Sequence, residues 1–199
     1  MEISKEVYAR RASIFLLIAG IIFVIAFIFH PDESKEGALL QAAWVPVHYT
    51  IAIGFLLVVL GLPAIYIRAK DKMNRFGKFA LMFTKIMFIL LTGAILFIET
   101  MIFPAIANSQ YADVLSETGP VLGGTFGMAA IISFGLLALS LVLLGLFLIS
   151  KRIVNPIAAI LLFGGVPAAF SPPLAHIYGV IGGIALGLGI AWIGGSLSK

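Results

Sequence analysis

The sequence contains no cysteine and has few charged residues for its length. The missing cysteine excludes disulfides, thiolate metal sites and c-type haem attachment. Only 11% of the 199 residues are charged, whereas a soluble domain has about a quarter. The charges are bunched, and 61% of the residues are hydrophobic, so apolar runs of spanning length remain. We therefore expect an integral membrane protein surrounded by a lipid bilayer.

Common catalytic and nucleotide-binding motifs are also missing. The chain has no P-loop, no GxGxxG after a strand, no HExxH and no GxSxG elbow. The formal net charge is +4. In a membrane protein, Lys and Arg concentrate in cytoplasmic loops, so this charge does not indicate a nucleic-acid partner.

The hydropathy pattern predicts an all-α protein with six transmembrane helices in a single domain, residues 1–199. Apolar runs between polar or proline-marked breaks place these helices near residues 12–30, 43–67, 77–106, 121–149, 153–170 and 174–195. The fifth run is short and contains Pro156, Gly164, Gly165 and Pro167. It is therefore expected to be tilted, kinked or partly re-entrant, and a complete crossing stays open.

The connecting segments alternate in charge. The basic segments precede the first helix, join helices two and three, join helices four and five, and end the chain; their cations are Lys5, Arg10, Arg11, Arg68, Lys70, Lys72, Arg75, Lys78, Lys151, Arg152 and Lys199. The opposite loops hold five acids, Asp32, Glu33, Glu36, Asp113 and Glu117, against Lys35. By the positive-inside rule, we expect both termini on the cytoplasmic side of the cell membrane.

All three histidines are predicted near the outer face. His30 closes the first helix, whereas His48 and His176 each follow a proline that is typical of a first helical turn. His48 and His176 should therefore lie at similar depth, about one turn inside two outer helix starts. The positive end of a helix dipole favours neutral imidazole, the form that binds a metal or haem iron.

Glu99 is the only carboxylate inside a predicted span, at a depth close to that of His48. An unpaired carboxylate in the membrane costs several kcal/mol, so Glu99 is expected to be protonated or partnered. His48, His176 and Glu99 could form a 2-His-1-carboxylate set for iron or zinc, with His30 as a further candidate ligand.

Helix three also carries polar residues at seven-residue spacing, namely Lys78, Lys85, Thr92 and Glu99. Such spacing predicts one slowly drifting face. Lys85, Thr92 and Glu99 could line a polar pathway toward the outer histidines. Alternatively, the lysines extend to the membrane surface and Thr92 bonds to its own helix backbone.

Helix six places glycines below His176. Gly183 and Gly187 share its helical face, and Gly179 lies slightly off that face. Ladders of small residues usually allow another helix to approach closely. The same missing side chains could leave a flat slot for a planar cofactor, with His48, His176, Gly179 and Gly183 as the cofactor-binding residues.

Three functions remain open from the sequence. The first is a b-type haem or metal protein, such as a redox subunit that works with a quinone or another redox partner. The second is a small transporter or channel that uses Glu99. The third is a non-catalytic subunit of a larger membrane complex or of a homo-oligomer. Haem b is the expected cofactor of the first function, and a non-haem metal ion is the alternative.

Overall fold

The computed structural model describes residues 4–33, 35, 37–116, 119–169 and 176–199. Within these ranges all regular secondary structure is helical and there is no strand. Six helices are labelled here in chain order: α1 (Lys5–Ile28), α2 (Trp44–Arg68), α3 (Arg75–Ala107), α4 (Thr125–Ser150), α5 (Pro156–Ala169) and α6 (His176–Leu197). The predicted all-α fold is confirmed.

Five of the described helices, all except α5, are long and apolar enough to cross a membrane. Helix α5 has fewer than 18 residues. At about 1.5 Å per residue it is shorter than the roughly 30 Å of bilayer hydrocarbon. The sixth crossing therefore stays a prediction. The predicted end of the fifth helix at residue 170 and the predicted start of the sixth at 174 lie outside the described residues.

Polar side chains fix where three helices begin. Ser4 Oγ accepts a hydrogen bond from the Val7 amide at 3.3 Å, which caps α1. Asn74 caps α3, and Asn155 caps α5 directly before Pro156. These caps satisfy amides that have no partner within the helix. The cap at Ser4 starts α1 at Lys5, seven residues before the predicted apolar run.

The two ends of the bundle differ in chemistry. The histidine end is defined by His30, His48 and His176, whose rings lie close together. At the opposite, basic end, Arg68 pairs with Glu6 of α1 and donates to the Leu197 carbonyl of α6. Helix α6 therefore runs from the histidine end to the basic end.

Close contact between α1 and α6 depends on glycine. A Cβ at Gly187 would lie 2.7 Å from the Gly20 carbonyl oxygen, and a Cβ at Gly20 would lie 2.3 Å from the Gly187 oxygen. Each glycine thus lets the other backbone approach within van der Waals contact, as is common between membrane helices. The two backbones form a seam that joins the first described helix to the last.

Aromatic packing joins α1, α2 and α3 in the core. Phe55 of α2 makes edge-to-face contacts with Phe23 of α1 and Phe88 of α3, at ring-centroid distances of 5.5 and 4.9 Å. Edge-to-face pairs are favourable because the positive ring edge meets the negative ring face. This packing holds together three helices that carry or approach the histidines at the histidine end.

Helix α3 changes its winding near the histidine end. Residues Arg75–Ala94 are α-helical, Ile95–Ile102 form a π-helix, and Phe103–Ala107 return to α-helix. A π-helix closes hydrogen bonds five residues apart instead of four. The seven-residue spacing between Thr92 and Glu99 therefore does not keep them on one regular helical face.

Candidate metal centre

His30 lies just beyond the end of α1. Its Nδ1 donates to the Pro31 carbonyl oxygen at 2.9 Å, and its ring stacks on Phe27 at a centroid distance of 5.7 Å. Helix α1 ends at Ile28 with Phe29 as its C-cap, and the His30 amide donates to the Phe27 carbonyl oxygen at 3.4 Å.

His48 lies in the second turn of α2 and is buried. Its Nδ1 donates to the Trp44 carbonyl oxygen at 2.8 Å. The Trp44 indole also stacks on the His48 ring, with centroids 4.2 Å apart and planes inclined by 27°. One residue therefore fixes both the rotation and the tilt of this imidazole.

His176 is the first residue of α6 and is half-buried. Its ring centroid lies 6.1 Å from that of His30, and the His30 centroid lies 5.1 Å from that of His48. Helices α2 and α6 and the end of α1 thus bring all three histidines of the chain to one place.

Both bonded imidazoles have the same tautomer when neutral. A carbonyl oxygen only accepts hydrogen bonds, so Nδ1 carries the hydrogen in His30 and in His48. The lone pair is then on Nε2. A histidine that binds a metal usually donates its other ring N–H to a carbonyl or carboxylate in this way.

Glu33 places a carboxyl group beside the histidines. Its Oε1 lies 3.6 Å from His30 Nε2. Burial, with a smaller contribution from Asp32, raises the pKa of Glu33 to about 7. The pKa of His30 is lowered to about 4. Burial is the largest cause, and His48 makes a smaller contribution. At neutral pH the pair is therefore largely a neutral imidazole beside a carboxyl group that is partly protonated.

His30, Glu33 and His48 together have the composition of a metal site. One ligand atom from each residue lies within 4.8 Å of the other two. Donor atoms on one iron or zinc ion lie about 3 Å apart, because metal–nitrogen and metal–oxygen bonds are about 2.0–2.2 Å. A shared ion would therefore require the three donors to approach one another to about 3 Å.

Glu99 lies at the same end of the bundle but outside this three-residue group. Its backbone oxygen accepts a hydrogen bond from Trp44 Nε1 at 2.7 Å. Its half-buried carboxyl interacts electrostatically with that of Glu33. The predicted set of His48, His176 and Glu99 therefore differs from the group that meets most closely, in which Glu33 supplies the carboxylate.

In the sequence, Glu33 is recognisable only as one of the acidic residues of a predicted outer loop. The local sequence HPDE, residues 30–33, did contain the relevant spacing. Glu33 follows His30 by three positions, with Pro31 and Asp32 between them. A histidine and a carboxylate on the same turn next to a membrane helix end can face one ion.

Two of the glycines below His176, Gly183 and Gly187, pack against α1. Gly179 and Gly183 are buried. The Phe27 ring lies directly over Gly183, where an added Cβ would come within 2.1 Å of it. This ring occupies the space that a planar cofactor would need at Gly183, so a haem in this slot would have to displace Phe27.

The predicted polar residues of α3 are not gathered along one buried path. Lys78 and Lys85 are exposed on the helix surface. Thr92 Oγ1 donates to the Phe88 carbonyl oxygen of its own helix, which is the local bond that threonine commonly makes in membrane helices. The pathway of Lys85, Thr92 and Glu99 stays a prediction.

The arrangement at the histidine end has the donor groups that a metal site would need. It offers two neutral imidazole nitrogens and one carboxyl group of raised pKa, and further polar groups lie close by. Two histidines and one carboxylate leave coordination positions open for an external ligand.

Comparison of the chain with protein-family models, curated proteins and solved structures finds no match.

Proposed function

We propose that this membrane protein binds a divalent transition-metal ion, iron(II) or zinc, through His30, Glu33 and His48. The observation that carries the proposal is the approach of one donor atom from each residue to within 4.8 Å of the others. His176 is the nearest additional imidazole, because its ring lies 6.1 Å from that of His30. A bound ion would supply Lewis-acid or redox chemistry at positions that the three ligands leave open.

The bonds around the ligands support this proposal. Nδ1 of both His30 and His48 donates to a backbone carbonyl, which leaves Nε2 as the metal-binding nitrogen. Trp44 additionally packs on the His48 ring. Such fixed imidazoles lose little rotational freedom on binding an ion, and outer partners of this kind typically change metal affinity about 10–100-fold.

The proposed orientation places the metal centre on the extracytoplasmic side of the cell membrane. The basic end carries Arg68, and the loops at that end are rich in Lys and Arg. Such segments face the cytoplasm in most membrane proteins. The histidine end would then face outward, where a metal ion or an external electron donor has direct access.

Haem b and electron transfer to a quinone or redox partner remain predictions from the sequence. The Phe27 ring over Gly183 favours a bare ion over a porphyrin at this site. An absorption spectrum separates the two. A haem protein has a Soret band that shifts on dithionite reduction, whereas a site holding only iron(II) or zinc has no porphyrin absorption.

The test is metal loading of the purified full-length protein. After treatment with a chelator, the protein is titrated with Co²⁺ as a spectroscopic probe and with Zn²⁺, and the bound metal is measured by elemental analysis. We expect about one ion per chain and visible ligand-field bands. His30→Ala, His48→Ala and Glu33→Gln should each reduce affinity at least about tenfold.

Asp113→Asn is the matched control for Glu33→Gln. Asp113 is exposed in the loop that follows α3 and is not among the three close donors. It should bind Co²⁺ like the wild-type protein. If the histidine variants lower thermal stability but retain full Co²⁺ affinity, the polar residues have a structural role and the metal-binding proposal is wrong.

A further inference from the structure

A groove lies at the basic end of the bundle, on the opposite side of the protein from the histidines. Its volume is about 350 Å³, and it opens between α1, α2 and α6. The residues that line it are Glu6, Val7, Arg10, Arg68, Ser198 and Lys199. Three of these side chains are cationic and one is anionic, so the groove carries positive charge.

Arg68 is held in place within this groove. Its NH1 lies 2.7 Å from Glu6 Oε1, and its Nε donates to the Leu197 carbonyl oxygen at 3.2 Å. A guanidinium group has five N–H donors. Two are used by these contacts, so Arg68 presents three further donors from a fixed position.

Arg10 and Lys199 add further positive charge to the groove. Among the described residues, neither has a carboxylate oxygen within 4.0 Å. Both side chains are exposed at the groove. Two cations beside a fixed arginine are suited to an anion with several acceptor oxygens, such as phosphate.

The depth of the groove indicates where that phosphate comes from. The groove lies where the apolar helices α1 and α6 end and charged residues begin, which is the level of lipid head groups. We propose that it binds the head-group phosphate of an anionic phospholipid. Basic pockets between transmembrane helices bind anionic lipids on the cytoplasmic side in this way. The proposal is independent of the metal centre.

The test measures lipid binding to the full-length protein in detergent by native mass spectrometry, with phosphatidylglycerol and phosphatidylcholine as probes. We expect selective retention of phosphatidylglycerol. The double variant Arg10→Gln/Lys199→Gln should bind it at least about tenfold more weakly, because each interfacial cation contributes about fivefold. Glu6→Gln should bind it more tightly, since it removes a side-chain carboxylate that competes with the phosphate.

Arg75→Gln/Lys78→Gln is the matched control. It removes two exposed cations from the same end of the protein, at residues that do not line the groove. It should retain wild-type affinity. Equal weakening by both double variants would show general surface attraction and overturn the proposal. So would displacement of the lipid by inorganic phosphate at equal concentration, because the site would then recognise free phosphate.

Discussion

The indole Nε1 of Trp44 donates a hydrogen bond to the backbone oxygen of Glu99 at 2.7 Å. This bond joins the first turn of α2 to the π-helical segment of α3. Trp44 also accepts a hydrogen bond from His48 and stacks on its ring. The winding of α3 and the position of the candidate ligand His48 are therefore connected through one side chain.

Trp44→Phe should weaken metal binding without removing a ligand. Phenylalanine retains an aromatic ring beside His48 but cannot donate to the Glu99 oxygen. We expect about tenfold weaker Co²⁺ binding and a loss of about 1 kcal/mol in the free energy of unfolding. Titration with Co²⁺ and thermal unfolding measure the two effects.

Trp192→Phe is the control for that variant, because Trp192 is exposed on α6 and lies away from the histidines. It should leave both quantities unchanged. Wild-type Co²⁺ affinity in Trp44→Phe would show that the indole does not position His48.

Metal binding should release a proton from Glu33 near neutral pH. Burial raises the pKa of Glu33 to about 7, so the metal must displace a proton below that pH. We expect release of most of one proton at pH 6 and of little at pH 8, because the pKa of Glu33 lies at about 7. The pKa of His30 is about 4, so His30 contributes no proton in this range.

Calorimetric titration with Zn²⁺ in buffers of different ionisation enthalpy measures this release. The sign is fixed by the raised pKa: affinity should fall as pH decreases from 8 to 6. Glu33→Gln should lose this pH dependence together with affinity. Proton release that stays constant from pH 6 to pH 8 would contradict the assigned role of Glu33.

Gly187→Ala should destabilise the contact between α1 and α6. The new methyl group would lie 2.7 Å from the Gly20 oxygen, so the backbones would have to separate. We expect a loss of about 1–3 kcal/mol, typical of overpacking. Unfolding in increasing concentrations of denaturing detergent measures it.

Gly195→Ala is the matched control on the same helix, because no atom lies within 4 Å of the place that its new methyl group would take. It should be neutral, or stabilising by up to about 1 kcal/mol because alanine favours helix. Equal destabilisation by both variants would indicate that α6 tolerates no larger residue anywhere, and the specific seam would be wrong.

Two threonines of α3 should differ in their effect on stability. Thr84 is fully buried, and its hydroxyl contacts the carbonyl oxygens of Ala80 and Ser140, the latter on α4. Thr92 bonds only within its own helix. Thr84→Val should cost about 0.6–1.7 kcal/mol, and Thr92→Val close to none, in the same detergent unfolding assay. A larger cost at Thr92 would show that its hydroxyl has an interhelical role.

The sequence predicts the helices well because hydrophobic length is a property of local composition. The positions of α2 and α3 follow directly from their apolar runs. The sequence predicts less directly that His30, His48 and His176 lie close together, because it indicates only that they share a depth near helix ends. The sequence does not single out Glu33, because its approach to His30 depends on the conformation of the loop after α1. The π-helix of α3 has no periodic pattern that identifies it, so the altered direction of Glu99 could not be predicted.

The glycine seam between α1 and α6 has a consequence for how the protein is made. Gly20 emerges from the ribosome long before Gly187, so α1 enters the bilayer without the neighbour that its small-residue face fits. That face would have to be covered by lipid chains or by the insertion machinery until α6 is made. Pairing of α1 with α6 is then a late step of assembly, because α6 is synthesised long after α1.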